Sequence, residues 1–173
     1  MSAPLGELTL SPVSDRDYAP LVRAAAERAH TRIWVSMFIC DIRPTRDVEG
    51  IVLDLINALK ERAMRGVDVR VVLTGDASAA DIAAANLATS LYLQQAGVPV
   101  RRAMRLHDGR LGSHAKMIVI DQMAFVGSQN WTQGGFQAHT EDAIWVEGAG
   151  VERIASEFLH LWGQGIGGLS GPE

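Results

Sequence analysis

The chain alternates between two hydrophobic periods. Asp17 to His30 carries Leu21, Val22, Ala25 and Ala29 along one stripe, which predicts a helix. Ile33-Trp-Val-Ser-Met-Phe-Ile39 follows as a nearly continuous apolar run, the pattern of a strand covered on both faces. Asp47 is placed to cap a second helix, in which Val48, Ile51, Val52, Leu55, Ile56 and Leu59 recur every three or four residues. Arg65-Gly66 ends that helix, because glycine accepts the left-handed conformation of a helix terminus. Val67 to Leu73 reads as a second strand and Ala79 to Ala96 as a third helix closed by Gly97. Val98-Pro-Val100 opens a third strand, near a sheet edge because Pro99 has no N–H to donate.

Past an Arg-rich loop the rhythm changes. Met117 to Ile120 and Ala124 to Val126 are apolar runs separated by Asp121-Gln-Met, a spacing that predicts a hairpin. Ala143 to Val146 is a further strand and Val151 to Trp162 a closing helix. Strands alternating with helices, followed by locally paired strands, predict an α/β sandwich: one domain over residues 1–173 with a mixed β-sheet between α-helices. Its core spans about 17–162, with residues 1–16 and 163–173 expected as flexible ends.

Composition narrows the partners more than the fold. With 16 Lys+Arg against 20 Asp+Glu the net charge is −4, so no global basic field advertises nucleic acid. The charge is unevenly spread, however. Residues 101–116 hold Arg101, Arg102, Arg105, Arg110 and Lys116 against Asp108 alone, a local +4 that leaves −8 elsewhere. Such a stretch is either a basic lip for phosphates or a solvated charged loop. The single Cys40 excludes an internal disulfide or a multi-cysteine zinc site and suits a reducing compartment. The N-terminus lacks a basic segment followed by an apolar one. The longest apolar stretch, Ile33 to Ile42, is far shorter than the ~20 residues of a membrane span. Cytoplasmic residence without a membrane anchor is the expectation.

Two motif matches carry nothing. Gly163-Gln-Gly165-Ile-Gly-Gly168 has the letters of a dinucleotide loop, but a helix precedes it where a strand is required. Asn130-Trp-Thr132 is a glycosylation sequon in a chain expected to remain in the cytoplasm.

The chemistry gathers between His114 and Glu141. His114 and Lys116 stand two residues apart, hence on one face of an extended strand, which sets an imidazole beside a fixed positive charge. Imidazole can act as nucleophile or proton carrier near neutral pH, and an ammonium group suits a phosphate oxygen. Gly127-Ser128-Gln-Asn130 then offers a hydroxyl, an amide and backbone donors that could bind a phosphorane without a metal. Glu141 could accept the second imidazole N–H and fix its tautomer. Each element also has an ordinary reading: a solvent-facing histidine, a solvated lysine, a hairpin-turn Asp121, a plain Gly-Ser turn and a surface glutamate. Trp131 could stack a base, though burial against the helix it opens is the more economical reading.

In combination these residues resemble the phospholipase D superfamily, marked by H-x-K-x4-D followed by G-S-x-N. His114, Lys116 and Asp121 match the first element, and Gly127, Ser128 and Asn130 the second. Glu141 stands eleven residues after Asn130, as a glutamate does in the compact bacterial nucleases of this superfamily. Asp121 to Gly127 encloses five residues, one fewer than is usual, which shortens the hairpin turn. The motif occurs once, as in the single-motif members that build one active site across a homodimer. The resemblance implies a phosphodiesterase that needs no cofactor and works through a phosphohistidine on His114. It assigns Lys116, Asn130 and Ser128 to the phosphoryl oxygens and Glu141 to His114. Nucleic acid is the favoured substrate, with Arg101, Arg102, Arg105, Arg110 and Trp131 as binding candidates. A lipid phosphodiesterase or phosphatidyl transferase, and a silent dimeric binding module, are the alternatives.

Overall fold

A computed structural model describes residues 8–75, 79–104 and 113–167. Its centre is an eight-stranded mixed sheet in the order β1-β7-β6-β5-β2-β3-β4-β8. The strands are β1 (Leu8–Ser14), β2 (Arg32–Met37), β3 (Asp68–Thr74), β4 (Val100–Ala103), β5 (Met117–Ile120), β6 (Met123–Gly127), β7 (Asp142–Gly148) and β8 (Ile166–Gly167). β2, β3 and β4 run parallel, and their crossovers are α2 (Ile51–Met64) and α3 (Ala80–Gln94). β5, β6 and β7 form an antiparallel meander joined to β2. α1 (Asp15–Glu27), α2, α3 and the short α4 (Gln133–Gln137) pack on one face, over Ile33, Val35, Val69, Val71, Ile118 and Phe125. α5 (Val151–Gln164) covers the other face, where Trp34, Val72, Val119, Ala124 and Val146 meet Ala155 and Phe158. The central strands are apolar on both faces because helices lie on both, as their sequence predicts.

Several boundaries differ from expectation. The second helix starts at Ile51 rather than beside Asp47, and Val48 is exposed on the preceding turn. Asp47 still serves the helix start, its buried carboxylate accepting from the N–H groups of Val52 and Leu53 at 3.2 and 2.8 Å. Gly50 makes the entry with φ of +71°, and Gly66 makes the exit with φ of +86°.

The expected flexible ends are corrected in part. Leu8–Ser14 is a full edge strand paired with β7, and Ile166–Gly167 pairs with Arg101 and Arg102 of β4. Both are edge strands, exposed at every residue but Val13, so neither carries the apolar run that marks a central strand.

Asp121 fastens the far end of the hairpin. Its backbone turns with φ of +49°, and its carboxylate accepts from the N–H groups of His30, Thr31 and Arg32 at 2.8, 2.9 and 3.0 Å. The Thr31 hydroxyl adds a fourth bond at 2.6 Å. Burial works to raise this carboxyl, but the Thr31 hydroxyl and the three backbone donors outweigh it and bring its pKa down to about 2. Asp121 therefore ties the α1–β2 connection to the β5–β6 turn and is not part of a reacting cluster. The motif counts Asp121 with His114 and Lys116 as a catalytic candidate, whereas in the structure the whole of β5 separates it from Lys116, roughly 15 Å along the strand.

Candidate active site

Strand direction brings the remaining candidates together. Ser36, near the C-terminal end of β2, pairs with Met117 at the start of β5. Met117 in turn pairs with Val126 near the end of β6, and Gly127 with Ala143 at the start of β7. One end of the sheet thus collects the residues before β5, after β6 and before β7. In an open α/β sheet this end, beyond the C-termini of the parallel strands, is where ligands bind.

His114 and Lys116 sit on the extended segment leading into β5, immediately before the strand rather than on it. Ser113 secures that segment. Its carbonyl accepts from the Thr74 hydroxyl at 2.8 Å, and its own hydroxyl accepts from the Ala115 N–H at 3.2 Å and lies 3.5 Å from Ser36 Oγ. His114 is exposed, whereas Lys116 retains 8% exposure. Lys116 Nζ lies 3.1 Å from His114 Nδ1 and 3.0 Å from the His114 carbonyl. A charged lysine only donates, so Nδ1 accepts and the neutral imidazole carries its hydrogen on Nε2. Burial and the Lys116 charge both lower the His114 pKa, which favours the neutral, reactive form. Burial also lowers the Lys116 pKa, and the Glu141 charge opposes it.

The Gly127–Asn130 turn is cross-braced to β7. The Ser128 N–H donates to the Asp142 carbonyl at 3.0 Å, and the Asp142 N–H returns a bond to Ser128 Oγ at 3.1 Å. Ser128 Oγ also donates a short hydrogen bond to Glu141, whose other oxygen is 3.9 Å from His139 Nδ1. A side chain at position 127 would meet the Asp142 carbonyl and the Ala143 and Gln129 side chains within 2.6 Å, so glycine is required. Asn130 accepts from the Ile39 N–H through Oδ1 at 3.2 Å, an orientation that leaves both amide hydrogens on Nδ2 for another acceptor. The shortened hairpin therefore keeps Ser128 and Asn130 at the His114 end of the sheet.

Of the other binding candidates, Trp131 and Arg101 lie away from this end. Trp131 has 0% exposure, so base stacking on it is corrected to a core role. Its backbone joins the Ile39–Asp41 segment through two bonds of 2.9 Å. Arg101 points to the α5 face. Its guanidinium sits 4.5 Å from the Trp162 ring and donates to the Trp162 carbonyl at 2.6 Å, a helix-terminus contact rather than a substrate contact. Arg102 lies across from Leu73, near the site end of β4, with a buried Nε that has no hydrogen-bond partner. Arg105 and Arg110 lie outside the described residues.

One site residue escaped sequence reasoning. The Phe38 ring lies 4.3 Å from the His114 ring and 5.1 Å from Lys116 Nζ. Its only sequence signal is its place at the C-terminal end of a parallel strand. Among the described residues, no group of three or more His, Cys, Asp or Glu side chains is placed to hold a metal ion. No described helix is long and apolar enough to cross a membrane.

Comparison with known families decides the affiliation. The family model for the cardiolipin synthase, phospholipase D-like domain matches residues 22–162, which contain every element of the site. The chain belongs to this phospholipase D-like family. Among solved structures it is similar to Nuc, a phospholipase D family member from Salmonella typhimurium, at a TM-score of 0.75 and 22% identity. That match covers 95% of this chain and 100% of Nuc. NucT from Helicobacter pylori gives a TM-score of 0.71 at 17% identity, covering 94% of this chain and all of NucT. The archaeal chromatin protein TrmBL2 shares the fold at a TM-score of 0.57 and 16% identity, over 92% of this chain and 53% of that protein. No curated protein matches in sequence. At these identities the structural likeness shows the fold alone, and the family membership rests on the model matched over residues 22–162.

Proposed function

We propose that this protein is a homodimeric phosphodiesterase acting on nucleic acid, a small endonuclease that works through a phosphohistidine without a metal. The observation that carries this reading is the Lys116–His114 pair, 3.1 Å apart and facing the same sheet end as Ser128, Asn130 and Glu141. In the first step a ring nitrogen of His114 attacks phosphorus. The N–P bond forms, the P–O bond to the leaving alcohol breaks, and the partner subunit's His114 gives that oxygen a proton. In the second step the partner subunit's His114 takes a proton from water. The water oxygen attacks phosphorus and the N–P bond breaks. Lys116 and Asn130 neutralise and orient the phosphoryl oxygens, Ser128 assists, and Glu141 fixes the His114 ring.

A second copy supplies the second imidazole, and the surface beside the site supports it. On the α5 side of the sheet, Val126, Ile144 and Pro12 stand opposite one another on β6, β7 and β1, with Leu10 two residues along β1. All four are exposed, an apolar row next to the end that carries Gly127 and Asp142. Ile144→Asp is expected to shift sedimentation from dimer to monomer and to abolish turnover. A wild-type monomer with full activity would contradict the shared site. Arg105 and Arg110, in the sequence that leads into His114, support nucleic acid as substrate. Cleavage of DNA or RNA in EDTA, with phosphatidyl substrates untouched, is the expected result. The reverse selectivity would assign the protein to lipid, and no turnover of either would leave a binding module.

A further inference from the structure

His114 is exposed and lies outside the strand ladder, so its ring direction depends on side chains around it. Phe38, the first residue past β2, touches both members of the reactive pair. Its ring lies 4.3 Å from the imidazole, tilted by 45°, and 5.1 Å from the Lys116 ammonium. The backbone beneath Phe38 is unusually well held for a loop. Asn86, buried on α3, donates to the Phe38 and Thr74 carbonyls at 2.9 and 2.8 Å and accepts from the Cys40 N–H at 2.9 Å. On the opposite side, the Ile39 N–H donates to Asn130 Oδ1 at 3.2 Å and the Ile39 carbonyl accepts from the Trp131 N–H at 2.9 Å. The Asn86 amide uses its oxygen and both hydrogens on backbone groups, so the segment is fixed from α3 and from the Asn130–Trp131 segment together.

We infer that Phe38 is a positioning residue, holding the His114 imidazole against Lys116 in the orientation that attack on phosphorus requires. The inference rests on the phosphodiesterase reading and adds a residue to it. A flat ring on a rigid backbone limits imidazole rotation as an aliphatic side chain of similar size does not. It also offers its π face to the ammonium, keeping Lys116 beside Nδ1 until a phosphate oxygen replaces the imidazole as its partner. Nothing in this role requires Phe38 to touch substrate.

Phe38→Leu keeps an apolar group at the position and removes the ring, and Phe38→Tyr keeps the ring. With a chromogenic phosphodiester as the probe, Phe38→Leu is expected to lower kcat about 10- to 100-fold while KM changes less than about threefold. Phe38→Tyr should recover kcat to within about threefold. Proton NMR of the His114 ring should show its resonances displaced in Phe38→Leu and retained in Phe38→Tyr, because the ring current of residue 38 acts on them. Wild-type kcat in Phe38→Leu, or a loss confined to KM, would overturn the assignment. If the wild type does not turn over the probe, the phosphodiesterase reading falls and the resonances decide alone. A titration midpoint of those resonances raised in Phe38→Leu beyond that of Phe38→Tyr, as the Lys116 charge leaves the imidazole, would then uphold the positioning role, and an unchanged midpoint would overturn it.

Discussion

The two ends of β5 carry the charged letters of one motif and treat them in opposite ways. At one end Asp121 is saturated: four donors from the α1–β2 connection converge on its carboxylate, and its backbone carbonyl accepts from the Arg32 guanidinium at 3.1 and 3.0 Å. At the other end Lys116 reaches the His114 ring and the His114 carbonyl, the ring contact being exchangeable, beside an Asn130 amide with hydrogens to give. A saturated charge serves the fold, because displacing it would take the acceptor from four donors at once. A charge whose partner can be exchanged for a phosphate oxygen serves chemistry. Four intervening apolar residues, Met117 to Ile120, keep the two ends apart and fix both to the core.

This contrast can be broken at several points. The largest effect is expected from His114→Ala, a loss of at least about 10³-fold in turnover with an unchanged melting temperature, measured on a phosphodiester in EDTA. Lys116→Met should follow with a loss of about 10²- to 10³-fold in kcat. Because the Lys116 charge contributes to lowering the His114 pKa, its removal lets that pKa rise toward its ordinary value. The acid limb of the pH–rate profile should therefore move to higher pH, and a shift the other way would contradict the pairing.

Asp121→Ala reverses the pattern. It should cost about 2 kcal/mol of stability, read by denaturant unfolding, while kcat per folded molecule stays within about threefold. The sign of its pH dependence follows from the depressed pKa. With the folded value at about 2 against an ordinary 3.8, the contribution is complete above about pH 4 and fades as the pH falls toward 2. The variant should lack that component of acid denaturation. The smallest effect belongs to Arg101→Ala, where loss of the Trp162 contacts should cost about 1 kcal/mol or less, with no change in the salt dependence of DNA binding. A changed salt slope would return Arg101 to the substrate surface.

These distinctions were partly legible in the chain. The hairpin and the central strands follow from apolar runs and spacings that suit a sheet covered on both faces, and the His114–Glu141 cluster from its likeness to a family motif. The edge strands were not readable, since Leu8–Ser14 carries Pro12 and exposes most of its length, and Ile166–Gly167 is too short to have a period. Asp121 reads as a turn residue, but its partners are some ninety positions earlier and meet it only through the β2–β5 pairing. Trp131 beside the G-S-x-N element looks available to a base until Asn130 and Trp131 are seen bonded to Ile39 and Asp41, which turns the indole into the core. Phe38 was hidden for the converse reason. It closes an apolar run, and only the strand's end at Met37 shows that its ring is released toward His114.

The central claim is that His114 becomes covalently phosphorylated. The direct measurement is rapid quenching of turnover in EDTA, followed by mass spectrometry of the peptides under alkaline conditions that preserve phosphohistidine. The account predicts an acid-labile phosphoryl adduct on the peptide containing His114, present in Asp121→Ala and absent in His114→Ala. Turnover at the wild-type rate with no adduct on that peptide, or with the adduct on another residue, would contradict it.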